Sequence, residues 1–124
     1  MIMIRRDLDP ADFQRHGGMA VLKSILHDKQ SWTCYLCAIL HTDFGRKTAL
    51  EEHHIFGGNP NRKRSEQQGL KVYLCPEHHR TGAEAVHRLD LNGNQKLLQE
   101  IAQKAFEQKH TREEFIKIFW KSYL

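Results

Sequence analysis

Apolar and polar positions repeat with two different periods along this chain, and the change of period marks its elements. "LKVYLC" at 70–75 alternates with period two and is rich in strand-forming residues, so it predicts a β-strand. "TALEEHHIF" at 48–56 predicts a partner strand that ends in a pair of adjacent histidines. Helical spacing takes over in the C-terminal third. Leu97, Leu98, Ile101, Ala105 and Phe106 form one apolar stripe in "NQKLLQEIAQKAFEQKH" (94–110). "TREEFIKIFWKSYL" (111–124) predicts a last helix, with Thr111 as N-cap and Glu114 at the capping-box position. Upstream, the pairs Val21/Ile25 and Leu22/Leu26 predict a short amphipathic helix in "MAVLKSILHDK" (19–29). "DPAD" predicts an earlier helix start, capped by Asp9 with Pro10 in the first turn and interrupted at Gly17-Gly18.

The segment between the strands, "GGNPNRKRSEQQG", is loop-forming, with one helical turn before Gly69 suggested by the Ser65/Gln68 spacing. Pro76 opens a predicted helix over 76–89, disturbed at Gly82. No internal repeat or low-complexity tract is present. The chain of 124 residues fits one domain with a modest core, and 40% hydrophobic with 27% charged residues argues against wholesale disorder. Apolar runs such as "AVL" and "CAIL" are too short to cross a bilayer, and no signal-peptide pattern is visible, so a cytoplasmic location is expected, in bacteria or the phage-infected host. A net charge of +4, with pI near 9.1, favours a polyanionic partner without proving one.

Cysteine usage sharpens the picture. Cys34, Cys37 and Cys75 are an odd number in a chain without an export signal, which argues against a disulfide framework. "CYLC" has the spacing of a redox dithiol, but no βαβ pattern surrounds it. Cys34-x2-Cys37, two thiolates on a tight turn, and Cys75-x2-His78 instead supply two paired ligand sets, a Cys3His constellation for structural Zn²⁺. The alternative is three reduced core thiols and a surface imidazole. Metal binding would contribute on the order of 10 kcal/mol to folding.

Two histidine doublets, His53-His54 and His78-His79, need a separate account. Adjacent strand residues project to opposite faces, and adjacent helical residues diverge by about 100°. One member of each doublet can therefore serve a different site from its neighbour. A strand histidine and a helix histidine converging across a ββα unit can hold one divalent ion, leaving an imidazole free to act on water.

"EEHHI", a loop, and "LKVYLCPEHH" resemble the HNH, or His-Me finger, endonucleases. Among these the chain is similar to phage-type members with paired cysteine knuckles, including the RecA-dependent, recombination-enhancing nucleases. The likeness covers roughly residues 34–88. It implies an α+β fold: a small zinc-stabilised ββα-metal core (31–90), an N-terminal helical extension (1–30) and a C-terminal helical region (91–124) packed on the core as one domain. It also implies that His53 and His79 hold a catalytic divalent cation (Mg²⁺, Mn²⁺, Ni²⁺, Co²⁺ or Zn²⁺). His54 would be the general base, and cleavage would leave 5′-phosphate ends. DNA is the implied partner, with a recombinase or a phage replication or packaging protein as a second. One departure stands out: no asparagine precedes the second strand, and Asn59 and Asn61 are the nearest substitutes for its orienting role.

His87 is too far along a regular helix, about 12 Å from His79, to share an ion. Only a break at Gly82 would bring it round; otherwise it is a helix-surface residue. His16, His27, His41 and His110 have no partner at ligand spacing and read as surface residues. Arg62, Lys63, Arg64 and Arg80 are the candidate DNA contacts, with Arg46, Lys47, Lys71 and Arg88 adding charge near the same unit. No base-reading motif is evident, so weak sequence preference is expected. Phe106, Phe115, Phe119, Trp120 and Tyr123 read as packing residues rather than base-stacking ones. A catalytically silent zinc module that binds nucleic acid or protein is the alternative function.

Overall fold

The structure, a computed structural model, describes residues 23–58, 60–88 and 91–124. The expected helix at Asp9–Pro10, the first four residues of the helix over 19–29, His16 and Asn59 lie outside that set. The described chain is a small mixed α+β domain built on a two-stranded antiparallel sheet. In chain order it contains α1 (Tyr35–His41), β1 (Glu51–His54), α2 (Asn61–Gln67), β2 (Lys71–Leu74), a π-helical turn (Glu77–Thr81), α3 (Asn94–Phe106) and α4 (Arg112–Phe119). No helix among the described residues is long and apolar enough to cross a membrane.

Register fixes what each sheet face carries. Glu51 pairs with Leu74, Glu52 with Tyr73, His53 with Val72 and His54 with Lys71. Because side chains alternate along a strand, Glu51 and His53 share one face, and Glu52, His54 and Lys71 the other. The doublet is thus split between two environments, as its strand placement requires.

Four local expectations are corrected. Residues 23–28 are not helical: the Ser24 hydroxyl accepts from the Leu26 and His27 amides (3.0 and 3.1 Å) and donates to the Lys71 carbonyl, so a serine turn displaces helix here. The first cysteine pair opens a helix rather than a bare turn, with Cys34 Sγ accepting from the Cys37 amide at α1's start. The loop between the strands contains two helical turns, and Ser65 is buried inside them, accepting from the Phe56 amide and donating to the Leu70 carbonyl. Gly69 then ends that segment at φ +70, where a Cβ would lie 2.7 Å from the Lys23 carbonyl. Finally, the helix expected over 76–89 is only one π-helical turn.

That last correction shapes the site. Gly82 donates its amide to the Glu77 carbonyl at 2.8 Å, and a Cβ there would sit 2.7 Å from the same oxygen. The chain then doubles back, with Val86 and His87 amides donating to the His78 and His79 carbonyls (2.9 and 3.3 Å). Asn92 Nδ2 donates to the Ala83 and Ala85 carbonyls, and Asn94 Nδ2 to the Glu84 carbonyl, pinning the returning strand of chain from outside.

The C-terminal helices close the core. Leu98, Ala102 and Phe106 of α3 are buried, and the Thr111–Glu114 capping box at α4 forms in full. Phe56 packs on Phe115, Phe119 and Tyr123 with ring centroids 5.4, 4.6 and 4.9 Å apart. Trp120 departs from the stripe: it is 64% exposed, with the Arg64 guanidinium stacked 4.6 Å above its ring.

Candidate metal centres and a histidine-lined cavity

Cys34, Cys37 and Cys75 are buried and free, and with His78 they place four ligand atoms within 4.8 Å of one another. The edges of this tetrahedron test the fit. Cys37 and Cys75 Sγ are 3.9 Å apart, and His78 Nδ1 lies 3.5, 3.3 and 3.5 Å from the sulfurs of Cys34, Cys37 and Cys75. Tetrahedral zinc with ordinary bond lengths requires about 3.8 Å between sulfurs and about 3.6 Å between sulfur and nitrogen. The four side chains therefore close on the volume of one metal ion. Burial first, then the neighbouring thiols, push Cys37 up to about 12, so holding it as a thiolate would take a bound cation.

The imidazole of His78 is aimed by its outer partner. Its Nε2 lies 2.7 Å from Glu84 Oε1, a carboxylate that also accepts from His41 Nε2 at 2.7 Å and is held below its usual pKa by His41 and His78. An ionised carboxylate only accepts, so Nε2 carries the proton and Nδ1 presents its lone pair to the three sulfurs. His41 is exposed as expected, but it has a partner.

The same reasoning applies around the second cluster. His53, His79 and His87 place their ligand nitrogens within 4.8 Å, with ring centroids 5.3 Å (53–79), 5.5 Å (53–87) and 4.6 Å (79–87) apart. The Gly82 break does bring His87 round. Gln95 Nε2 donates to the Ile55 carbonyl at 2.6 Å, which leaves Gln95 Oε1 as the acceptor from His53 Nε2 at 2.8 Å. His53 Nδ1 is therefore the lone-pair atom. Glu51 Oε1 accepts from His79 Nδ1 at 2.7 Å, so His79 offers Nε2, which faces His87 Nε2 at 3.0 Å. Two nitrogens about 2.1 Å from one ion and at right angles to each other sit about 3.0 Å apart. Burial, chiefly, lowers His53 to about 4 and also lowers His87, so both stay neutral and competent as ligands at pH 7.

Arg80, expected on DNA, is engaged here. Its Nε and a terminal nitrogen bind the two Glu51 oxygens at 2.9 and 2.7 Å, and together with His79 it lowers Glu51 to about 2. Arg80 thereby fixes the carboxylate that aims His79.

His54 lies on the opposite sheet face. Its Nε2 is 2.8 Å from Glu66 Oε1 and 3.8 Å from Glu52 Oε1. Burial works to raise the Glu66 carboxyl, but the bonds from His54 and Lys71 outweigh it and hold the group below its usual value. Asn61 leaves its side-chain oxygen without a hydrogen bond, and the side chain bonded to His54 is Glu66 rather than this asparagine. Both His53 and His54 border one cavity of about 490 Å³, which His79, His87, Gly57, Gly58 and Arg62 also line. Arg62 and Lys63 border a second recess beside His54 and Glu66. Arg64 points to Trp120 instead, and Lys71 is fully buried in ion pairs, which removes it from any surface contact.

Sequence reasoning missed Glu51, Glu66, Glu84 and Gln95, and took Lys71 for a surface charge where it is a buried ion-pair partner. For Glu51 a signal existed: in "EEHH" each glutamate shares a strand face with the histidine two residues on. Gln95 gave none. Comparison with protein-family models, with curated proteins and with solved structures finds no match to this chain.

Proposed function

We propose that this protein is a metal-dependent endonuclease that hydrolyses phosphodiester bonds of DNA with little sequence preference. The sheet, the π-helical turn and the returning segment then form a compact ββα-metal-like unit stapled by a structural zinc on Cys34, Cys37, Cys75 and His78. One observation carries the reading: three imidazoles bring ring nitrogens within 4.8 Å of one another, while a fourth, hydrogen-bonded through Nε2 to Glu66, borders the same cavity.

His53 Nδ1, His79 Nε2 and His87 Nε2 would hold the catalytic cation. A divalent ion there supplies Lewis-acid stabilisation of charge on the scissile phosphate and on the departing oxygen. The chain's own groups do the rest. His54, with Nε2–H committed to Glu66, keeps Nδ1 free to take a proton from water. Arg62 on the cavity wall neutralises the phosphate backbone and holds it in register. Gln95 and Glu51 keep two ligand rings from turning away, so the ion site needs little reorganisation.

The test is plasmid nicking by zinc-loaded protein supplied with Mg²⁺, Mn²⁺, Ni²⁺ or Co²⁺, beside His54→Ala. The wild type cuts, and His54→Ala cuts at least about 100-fold more slowly with unchanged zinc content and DNA affinity. No cleavage with any of these ions, and no second metal equivalent by titration, would leave a zinc-stabilised binding module.

A further inference from the structure

We propose that Glu66, braced by the buried ammonium of Lys71, is the positioning residue that commits His54 to act as a base through Nδ1. The inference rests on the hydrolytic reading above but makes its own structural claim. Strand register sets His54 directly beside Lys71, with Glu52 two residues away on the same face. The Lys71 side chain has no exposure to solvent. Its Nζ lies 2.9 and 3.0 Å from the two Glu66 oxygens and 3.0 Å from Glu52 Oε2.

This network restricts His54 in a specific way. Both oxygens of Glu66 are held by the ammonium, so the carboxylate cannot rotate, and Oε1 also receives the imidazole. The ion-paired carboxylate accepts and does not donate. In the neutral His54 ring Nε2 then bears the proton, and Nδ1 keeps its lone pair. Stability alone would not call for the arrangement: a well-packed apolar residue in place of a buried ion pair is often neutral or stabilising. The buried charges earn their place by fixing one ring.

The experiment uses the full zinc-loaded chain as wild type, Glu66→Gln, Glu66→Asp and the double variant Glu66→Leu/Lys71→Met. The double variant removes the brace without leaving an unpaired buried charge, and it decides the matter if Glu66→Gln does not fold. Nitrogen NMR of the imidazoles reads the tautomer of His54, and plasmid nicking with Mn²⁺ reads kcat and KM. Wild type shows a single Nε2–H tautomer. Glu66→Gln and the double variant lose it at unchanged zinc content, with kcat down about 10-fold or more and KM within about 2-fold; Glu66→Asp recovers part of both. A folded Glu66→Gln or double variant that keeps the single tautomer, or that loses it with kcat intact, overturns the proposal. If the wild type cuts no DNA, the nuclease reading falls, and the proposed role of Glu66 in that chemistry falls with it; the tautomer measurement then reports only whether Glu66 fixes the ring.

Discussion

His79 Nε2 and His87 Nε2 lie 3.0 Å apart, where two turns of regular helix would separate them by about 12 Å. The difference comes from one residue. Gly82 ends the π-helical turn at a contact too close for a side chain, and the chain folds back along His78 and His79. The second candidate metal site therefore exists only because this helix fails to continue.

Gly82→Ala tests that dependence. Its Cβ would meet the Glu77 carbonyl, so the turn must shift, at a cost of about 1–3 kcal/mol. Titration with Mn²⁺ or Co²⁺ should show the weaker, exchangeable ion site lost or weakened about 10-fold or more, while zinc content stays at one equivalent. Equal affinity in wild type and variant would mean that His87 takes no part in ion binding.

Zinc should hold the domain together, and Glu84 should set how tightly. Chelation under reducing conditions is expected to abolish the cooperative thermal transition, since metal binding contributes on the order of 10 kcal/mol in small domains. Glu84→Ala frees the His78 ring and removes the acceptor that selects its tautomer. Zinc affinity should fall about 10- to 100-fold by competition with a chromogenic chelator, with the fold preserved in excess zinc. An unchanged affinity would show that the carboxylate does not aim the ligand.

Legibility from sequence followed locality. The Cys3His cluster could be read because x2 spacing is a local signature, and the capping box of α4 because Thr111 and Glu114 are three residues apart. The divergence of His53 from His54 followed from strand alternation alone. What escaped were contacts made by folding: Gln95 of helix α3 reaches His53 on strand β1, and Lys71 meets Glu66 only after α2 packs against the sheet. His27 was misread for the same reason. Nothing in "LHDK" says that strand β2 will donate an amide to its ring.

Arg62 supplies a salt-dependence prediction. It lines the cavity beside His54, unlike Arg64 under-stacked by Trp120 or Arg80 tied to Glu51. Arg62→Ala should weaken binding to unrelated DNA sequences by a similar factor and reduce the slope of log affinity against log salt by about 1. A loss confined to certain sequences, or an unaltered slope, would place Arg62 away from the phosphates.

His27 makes a prediction about acid stability. The Tyr73 amide donates to its Nδ1 at 3.1 Å, so Nε2 bears the proton shared with Thr33 Oγ1 at 3.2 Å, and the ring is neutral. Burial lowers its pKa from 6.5 to about 4, against the opposing pull of Asp28 and Thr33. Above pH 6.5 neither folded nor unfolded chain binds the proton, and stability does not vary on this account. As pH falls through 6.5 the unfolded chain takes up a proton that the folded one refuses, so stability declines until about pH 4, where both forms are charged. The loss attributable to this ring has a ceiling of about 3 kcal/mol. Urea unfolding of zinc-loaded wild type and His27→Gln between pH 7 and pH 4 isolates it, because proton-driven release of the metal is common to both. The variant should be less stable at pH 7 and show the shallower decline; parallel profiles would mean that His27 is not held neutral by its surroundings.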